Sequence, residues 1–448
     1  MKKLLIIFFF YSISGAGQDT TRLSLLFLGD IMQHDSQIAA AYDPTTQRYD
    51  YGSCFQFVKP YIQSADIAIG NLEVTLAGPP YKGYPQFSAP DELVHSLKSI
   101  GMDVLVTANN HCVDRGKKGL ERTIEMLDSI NLPHTGTFAD EASRLNDYPL
   151  FIQKNGFKLA LLNFTYGTNG LPVYKPNVVN MIDTAQIRQD LVQAKKHKPD
   201  AIIIFAHWGA EYQNLPMKIQ VDLTSFFFKH GAQLVIGAHP HVIQPMEWRK
   251  DKNQLVAYSL GNFVSGQRKR YTDGGAMIRV ELEKIAFKPD SIVTSIDTAG
   301  FILQWVYRTV DAKKKYYVLP IPDFESDTTN FIKDAASVLA MKTFITDSRE
   351  LLSRHNLSIT EWSAKPVDAN VSYSVQLTDF DSPIRDSIHS SLTFYEWNEE
   401  RDASGRQVVF SGEFKSKKQA DQHCEKLKAL GAHQAVVVKY VEGVMQNE

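Results

Sequence analysis

Short apolar runs alternate with amphipathic segments along most of the chain from residue 23 onward. The apolar runs have the length of buried strands, and they are residues 23–28, 66–69, 103–106, 201–205, 233–236 and 255–258. The segments between them have helical spacing, and they include residues 91–100, 117–130, 184–198 and 218–230. Strands that alternate with helices predict an α/β domain with a largely parallel, buried sheet.

Glycine and asparagine mark the ends of several of these segments. Gly101 and Gly231 follow two helical segments at the position where a C-cap glycine belongs. Asn155-Gly156 separates two apolar runs, which predicts a β-hairpin over residues 151–160. Antiparallel strands are therefore expected beside the parallel ones.

The residues that follow the six apolar runs are polar and belong to few chemical types. They are Asp30, Asn71, Glu73, Asn109, Asn110, His111, His207, His239, His241 and Asn262. Because ligands of open α/β sheets bind outside the carboxyl ends of the strands, we expect these side chains to meet at one edge. Carboxylate, amide and imidazole groups are ligands for divalent metals such as Mn, Fe or Zn.

His239 and His241 carry this prediction furthest. They lie two residues apart, so in an extended segment both side chains point to the same side, and Pro240 stiffens the link. A single histidine or asparagine after a strand is also common as a turn or cap residue, and that reading fits the pair least well. His34 is a further candidate ligand because it lies just past Asp30.

The first residues predict export. Lys2 and Lys3 precede the apolar residues 4–10, and the small residues Ser12, Ser14, Gly15, Ala16 and Gly17 follow, which is typical of a secretory signal peptide over residues 1–18. The apolar run is about half of the ~20 residues that a membrane helix needs. An uncleaved anchor or a buried strand are the alternatives. We expect a periplasmic or envelope-associated protein with no transmembrane span in its mature form.

Composition excludes some classes of partner. The 448 residues contain 48 Lys and Arg against 50 Asp and Glu, and this balance argues against bulk binding of nucleic acid. The three cysteines are too few for a disulfide framework or a Cys-rich zinc site. The length predicts two or three domains.

Six motifs in order resemble the CapA family, which is linked to capsule poly-γ-glutamate synthesis and export. They are Gly29-Asp30-Ile31-Met32, Gly70-Asn71-Leu72-Glu73, Ala108-Asn109-Asn110-His111, His207-Trp208-Gly209, Gly237-Ala238-His239-Pro240-His241 and Ser259-Leu260-Gly261-Asn262-Phe263. The resemblance covers residues 22–320. That family is in turn similar to the calcineurin-like metallophosphoesterases, which implies a β-sandwich flanked by helices with metals at strand ends.

The resemblance also implies roles for single residues. Its metal ligands are Asp30, Asn110, His207, His239 and His241, and His111 is the residue that protonates a leaving group. Two positions depart from the phosphoesterase pattern: Met32 stands where a histidine is expected, and Asn71 where a bridging aspartate is expected. Glu73 or His34 could replace the missing ligands, or the site could hold one metal instead of two.

The implied activity is metal-dependent hydrolysis of a phosphoester or γ-glutamyl bond in an anionic envelope polymer. Asp30 and His111 would be catalytic, and Glu211 would be a general base, an orienting residue or only a solvated loop carboxylate. Asn71, Trp208, Tyr212 and Asn262 are expected to contact substrate. The alternatives are a non-catalytic polymer-binding or export factor that uses the same pocket, and an envelope scaffold with a vestigial pocket.

The last third of the chain has a different pattern. Residues 323–369 are expected to form a linker and a connecting helix, with Ile332, Leu339, Phe344, Leu351 and Leu352 on one side. Residues 370–441 resemble SPOR domains at Tyr373-Ser374-Val375-Gln376 and Ser411-Gly412-Glu413-Phe414, which implies binding of peptidoglycan glycan strands. A polar insertion over residues 398–405 departs from that family. A generic small α+β domain for protein contacts is the alternative.

Overall fold

The computed structural model describes residues 19–288, 291–326, 331–362, 371–377, 397–401, 407–414, 417–441 and 444–446. The helices in these ranges are α1 Asp35–Ala41, α2 Gly52–Phe55, α3 Lys59–Gln63, α4 Glu92–Ser99, α5 Gly116–Ser129, α6 Glu141–Asp147, α7 Thr184–Lys196, α8 Lys218–Lys229, α9 Ile321–Phe324, α10 Ala335–His355 and α11 Lys417–Ala429. A 3₁₀ turn spans Lys250–Lys252.

The strands follow one another along the same ranges. They are β1 Asp19–Ile31, β2 Tyr42–Asp43, β3 Arg48–Tyr49, β4 Ile67–Leu72, β5 Val104–Val106, β6 His134–Thr135, β7 Thr137–Phe138, β8 Leu150–Lys154, β9 Phe157–Thr165, β10 Val178–Val179, β11 Ala201–His207, β12 Leu234–Ala238, β13 Met246–Arg249, β14 Gln254–Ala257, β15 Asn262–Val264, β16 Gly274–Lys288, β17 Ser291–Arg308, β18 Tyr316–Pro320, β19 Thr360–Glu361, β20 Val371–Leu377, β21 Trp397–Arg401, β22 Gln407–Phe414, β23 Val436–Val441 and β24 Val444–Gln446.

Two mixed sheets form the main body. The first has the order β18-β17-β16-β1-β4-β5-β6, with β15 paired to β1 and β19 to β17. Its strands β1, β4, β5 and β6 are parallel, whereas β16, β17 and β18 are antiparallel. The second has the order β13-β14-β12-β11-β9-β8, with parallel β9, β11, β12 and β14 between two antiparallel edge strands.

The two sheets pack face to face, with helices on both outer sides. Alternate residues of β1 divide between two cores: Leu23, Leu25 and Phe27 lie in the core between the sheets, and Leu26 and Leu28 in the core under α2–α4. Strand β9 alternates in the same way between the inner core and the core under α7 and α8. This period-two division is what a strand buried on both faces requires, and it gives a helix–sheet–sheet–helix arrangement.

Most elements predicted from the sequence are present, but the prediction that the six apolar runs form a single sheet is wrong. The predicted helices correspond to α4, α5, α7 and α8, and Gly101 and Gly231 have φ of +100° and +99° just past their ends. The hairpin is confirmed as β8 and β9, with Lys154 paired to Phe157 around Asn155-Gly156. The six apolar runs are divided between two sheets, because a buried run looks the same in sequence whichever partner strand it has.

The helix predicted as a connector packs into the main body. Residues Met341, Phe344, Ile345 and Leu352 of α10 are buried in the core between the sheets. The prediction that Leu339 shares this face is wrong, since Leu339 is 66% exposed. Strand β19, which follows α10, pairs with β17 of the first sheet.

The C-terminal residues form a separate five-stranded sheet with the order β21-β22-β20-β23-β24. Its apolar core includes Val375, Leu377, Phe414 and Leu427. Residues 398–401, the first half of the predicted polar insertion, belong to edge strand β21 and pair with β22. Backbone pairing does not depend on side-chain polarity, so a polar edge strand gives no sequence signal. Residues 402–405 of the insertion lie outside the described residues.

A buried histidine in this C-terminal unit predicts sensitivity to acid. Burial lowers the pKa of His423 to about 3, and its Nε2 lies 2.8 Å from the Ser411 hydroxyl. The unfolded chain binds this proton near its ordinary pKa of 6.5, so stability is complete above pH 6.5 and falls as the pH drops toward 3. We expect the free energy of unfolding of the C-terminal unit to fall by roughly 2–4 kcal/mol between pH 7 and pH 4. In the full chain this would be measured as a lower urea midpoint for that unit. His423→Gln should flatten that dependence, and an equal dependence in the variant would contradict the assignment.

No helix among the described residues is long and apolar enough to cross a membrane. The predicted signal peptide over residues 1–18 lies outside the described residues.

Candidate metal centre

Residues from the carboxyl ends of both sheets meet in one buried cluster. The first sheet contributes Asp30 at the end of β1, Asn71 and Glu73 around the end of β4, and Asn109 to His111 after β5. The second sheet contributes His207 at the end of β11 and His239 and His241 after β12. The sequence prediction that strand ends converge therefore holds, although the convergence is between two sheets.

Glu73 lies at the centre of this cluster. Two sets of three side chains have ligand atoms within 4.8 Å of one another: Glu73 with His207 and His239, and Glu73 with Asp30 and His241. One Glu73 oxygen, Oε1, lies 3.6 Å from His207 Nε2 and 3.9 Å from His241 Nε2. Carboxylate and imidazole groups placed this close together are ligands that suit a divalent cation.

The buried environment of the Glu73 carboxylate suits the binding of a cation. Both of its carboxylate oxygens are buried and have no hydrogen-bond partner among the described residues. Burial raises the pKa of Glu73 well above its ordinary value, and the Asp30 carboxylate raises it further. A buried carboxylate without a partner is costly, and a bound divalent ion would remove that cost.

The histidines of the cluster are suited to the same role. Burial and the neighbouring imidazoles lower the pKa of His207 far below its ordinary value and that of His239 to about 3. Both rings are therefore neutral near pH 7, which is the state that binds metals. His239 Nδ1 is buried without a hydrogen-bond partner among the described residues.

Asp30 is held as a carboxylate. Its Oδ1 accepts a hydrogen bond from Asn71 Nδ2 at 2.8 Å, and its Oδ2 lies 3.2 Å from His241 Nδ1 and 3.3 Å from the His239 backbone nitrogen. Burial on its own would raise the pKa of Asp30, but the hydrogen bonds with His241 and Asn71 and the electrostatic influence of the nearby His241 and His207 hold that pKa below its ordinary value.

The backbone at the histidine pair differs from the prediction. His239 and His241 have φ of +99° and +58°, so the extended segment predicted from their spacing is wrong. Left-handed backbone at non-glycine residues is strained and tends to occur at functional sites. The two rings still lie near each other, with centroids 6.0 Å apart.

The amides of the cluster position its imidazoles. Asn110 Oδ1 lies 2.8 Å from His207 Nε2. At that position it could be a further ligand beside Glu73, His207 and His239. Asn71 Nδ2 is 3.3 Å from His207 Nδ1 in addition to its bond to Asp30. Asn71 is only 1% exposed, and its side chain contacts two predicted ligands, Asp30 and His207. Its predicted contact with substrate stays a prediction.

His111 forms a dyad with a carboxylate that the sequence prediction of site residues left out. Its Nδ1 lies 2.7 Å from Asp114 Oδ2, and Asp114 Oδ2 also accepts a hydrogen bond from the Phe87 backbone nitrogen. An ionised Asp114 would accept a hydrogen bond from His111 Nδ1 and leave Nε2 for another partner. Asp114 follows His111 by three residues, and that short spacing in the loop was the available signal.

Asn262 connects the cluster to the loop between β15 and β16. Its Oδ1 lies 3.1 Å from His241 Nδ1, and its Nδ2 donates to Gln267 Oε1 and to the Thr272 backbone oxygen. Both ends of this amide are therefore used within the protein. Its predicted substrate contact stays a prediction.

The remaining predicted residues lie around or outside the cluster. Trp208 is 1% exposed, stacks on Phe227 and Tyr258 and belongs to the core under α7 and α8, so the structure does not bring it into the cluster. Tyr212 is 40% exposed at the rim, with its ring 6.2 Å from that of His241. Glu211 is exposed on the same segment.

The two departures from the phosphoesterase pattern have structural explanations. Met32 is buried in the core under α2–α4, away from the cluster. His34, the other candidate replacement ligand, lies outside both ligand sets, and its Nδ1 accepts a hydrogen bond from the Gly266 backbone nitrogen. Glu73 is therefore the replacement that the geometry favours.

Tyr166 is a further residue that sequence reasoning missed. Its ring lies 4.4 Å from that of His239 and is nearly parallel to that of His207 at 6.3 Å. It directly follows β9, a strand parallel to β11, so the strand-end rule applied to the other runs would have found it.

The fold and the cluster together define an α/β sandwich protein with a carboxylate-centred site suited to divalent metal. Residues 24–267 match the model of the family described as bacterial capsule synthesis protein PGA_cap. The chain belongs to this family.

Curated relatives agree with this assignment. The chain is 30% identical over 278 residues to the capsule biosynthesis protein CapA of Bacillus anthracis. This alignment covers 59% of the present chain and 65% of that relative. The chain is also 30% identical over 273 residues to the PGA biosynthesis protein CapA of Bacillus subtilis, covering 58% and 68%. The match thus spans just under two thirds of the first of these relatives. The solved NAD nucleotidase of Haemophilus influenzae matches at 11% identity with a TM-score of 0.40, covering 95% of this chain and 96% of that one.

Proposed function

We propose that this protein is an exported metal-dependent hydrolase of an anionic envelope polymer, such as a poly-γ-glutamate capsule. The bond cleaved is a phosphoester or a γ-glutamyl amide. The observation that carries the proposal is the buried Glu73 carboxylate, which has no hydrogen-bond partner among the described residues and is shared by two ligand sets. The capsule-related family supports the substrate class.

Asp30, Glu73, Asn110, His207, His239 and His241 would hold one or two divalent ions, such as Mn, Fe or Zn. When bound in this site, a divalent cation would supply polarisation of a substrate oxygen and a lower pKa for a bound water. His111, when protonated on both ring nitrogens and oriented through its Nδ1 by Asp114, would donate the Nε2 proton to the leaving group and remain as the neutral ring. Asp30 and Asn71 keep the histidines in position, and Glu211 is an exposed carboxylate available as a general base.

Metal content and turnover test the proposal together. The purified full chain, loaded in turn with Mn, Fe and Zn, should hydrolyse at least one of three substrates: a phosphomonoester, a phosphodiester or poly-γ-glutamate. Stoichiometric metal with no turnover of any of them would favour the non-catalytic binding or export role. A chain that binds no metal would contradict the hydrolase and any metal-dependent form of the binding role.

Asp114→Asn tests the role given to the His111 dyad. The amide can donate to His111 Nδ1 and so favours the wrong tautomer, which should lower kcat about 10²-fold or more. Metal content should stay at the wild-type level, because Asp114 belongs to neither ligand set. An unchanged kcat at unchanged metal content would show that His111 needs no orientation by Asp114.

We further propose that the C-terminal unit binds peptidoglycan glycan strands and localises the protein in the envelope. The resemblance to SPOR domains supports this, as does a helix packed on a five-stranded sheet. Full-length protein should pellet with purified peptidoglycan that has been stripped of its peptides, and a chain ending at residue 362 should not. Equal pelleting of the two would contradict this role.

A further inference from the structure

The loop between β15 and β16 carries three consecutive cations, Arg268, Lys269 and Arg270, beside the metal cluster. The side chains of Arg268 and Arg270 already interact with other groups of the protein. Arg268 donates to the Val306 backbone oxygen at 2.9 Å, and its guanidinium lies 5.4 Å from the Tyr316 ring centre.

Arg270 is occupied in a different way. Its guanidinium forms ion pairs with Asp347 at 2.6 Å and with Asp273 at 3.2 Å. Two carboxylates therefore balance its charge, and it adds little attraction for a further anion.

Lys269 is the cation that remains available. It is exposed, and its ammonium forms no hydrogen bond or ion pair with the residues that the structure describes. The ammonium lies 4.8 Å from the centre of the Tyr212 ring, which is the rim residue that neighbours His241. A cation–π contact at an exposed site is worth only about 0.5–1 kcal/mol, so an incoming anion can compete for the ammonium.

The position of Lys269 is fixed relative to the cluster through Asn262. That side chain contacts His241 with its oxygen and holds Gln267 and Thr272, on both sides of Lys269, with its nitrogen. The Lys269 backbone oxygen also accepts a hydrogen bond from the Thr272 hydroxyl at 2.7 Å. The amide that orients a predicted metal ligand thus also anchors the loop that carries the cation.

We propose that Lys269 binds an anionic group of the substrate next to the group held at the metal site. This inference rests on the proposed function, since it concerns the substrate of the same site. It defines the substrate class as a polyanion with a carboxylate or phosphate on the unit adjacent to the scissile bond. The chain as a whole has a net charge of −2. Attraction for such a polymer must therefore be local.

Lys269→Met, which keeps the length of the side chain but removes its charge, tests this proposal. Metal-loaded protein is given poly-γ-glutamate in one arm and poly(glycerol phosphate) in the other, so that the arms distinguish carboxylate from phosphate. The readout is KM where the wild type turns the polymer over and Kd where it only binds. We expect the variant to raise KM or Kd about tenfold for the preferred polymer, at unchanged metal content and with kcat within about twofold.

A short substrate and a remote lysine complete the test. Bis(p-nitrophenyl) phosphate has no neighbouring anion, so its turnover by the variant should match that of the wild type. Lys250→Met is the matched control, because Lys250 also lies over an aromatic ring, 4.3 Å from the centre of Trp248. It follows β13 at the amino ends of the parallel strands, away from the cluster. Lys269→Arg should restore affinity, and added salt should weaken the wild type more than Lys269→Met.

Failure of this proposal is distinguishable from failure of hydrolysis. If the wild type binds the polymer without turnover and Lys269→Met loses that binding, the proposal for Lys269 stands and the proposed hydrolase activity is contradicted. Equal KM or Kd in the wild type and Lys269→Met, an equal loss in Lys250→Met, or no polymer binding by the metal-loaded wild type would each overturn the proposal for Lys269.

Discussion

Replacing Glu73 by glutamine is expected to remove most of the bound metal and nearly all metal-dependent activity. The change preserves shape but takes the one carboxylate shared by both ligand sets out of the site. Loss of groups that merely orient ligands typically costs 10–100-fold in metal affinity, so the loss of a shared ligand should cost about 100-fold or more. Any hydrolytic kcat should fall by about 10³-fold or more. Metal titration and turnover assays measure both effects.

The stability of the metal-free variant separates this explanation from simple misfolding. Because the wild-type carboxylate is buried without a hydrogen-bond partner among the described residues, metal-free Glu73→Gln should be at least as stable as the metal-free wild type. Its thermal midpoint should no longer rise when metal is added. Glu281→Gln, which alters a carboxylate paired with Arg279 at 2.8 Å, is the control and should keep its metal. Wild-type metal affinity in Glu73→Gln would rule out the shared carboxylate.

The second large effect is expected at Gly29, directly before Asp30. A Cβ atom at this position would lie 2.0 Å from the Gly261 backbone oxygen, which is too close for any pair of non-bonded atoms. That oxygen accepts the Asp30 backbone hydrogen bond at 3.0 Å, so the clash would separate the two segments that bring Asp30 and Asn262 together. Gly29→Ala should lower the free energy of unfolding by about 3 kcal/mol or more, as measured by urea denaturation.

Gly167→Ala is the matched control, because a Cβ atom there would meet no atom within 4 Å. Its stability should stay within about 0.5 kcal/mol of the wild type or rise slightly. Insoluble Gly29→Ala beside soluble Gly167→Ala would be the same result in a stronger form. Equal stability of the two variants would show that the strand contact at Gly29 is not as close as described.

Local sequence patterns predicted the elements of this fold well. Helical spacing, the glycines after α4 and α8, and the Asn155-Gly156 turn all report on residues that are near one another in the chain. The pairing of strands does not, because a run buried on both faces is uniformly apolar in either sheet. The division into two sheets was implied only by the family resemblance.

Helix α10 shows a second limit of pattern reading. Leu339 was assigned to the buried face because it is apolar, yet it is 66% exposed, and Met341 and Ile345 are buried instead. A single apolar side chain on a surface is common and carries no penalty that a sequence pattern would show. The face of a long helix is fixed by its neighbours in the fold.

The candidate site was predictable in composition but not in arrangement. The strand-end rule identified Asp30, His207 and the histidine pair, because parallel strands place their carboxyl ends at one side. It could not choose between Glu73 and His34 as the replacement ligand, since both follow a strand within a few residues. The choice depends on the position of Glu73 between histidines of the other sheet. The left-handed backbone at His239 and His241 likewise depends on tertiary contacts and not on their spacing.

The central proposal is that Glu73 and its neighbours form one site that holds one or two divalent ions. Elemental analysis of the purified full chain, after equilibration with buffered Mn, Fe or Zn, tests it most directly. We expect one or two bound ions per chain for the wild type and a large loss of metal in Glu73→Gln. A wild-type chain that retains no divalent metal would contradict the account.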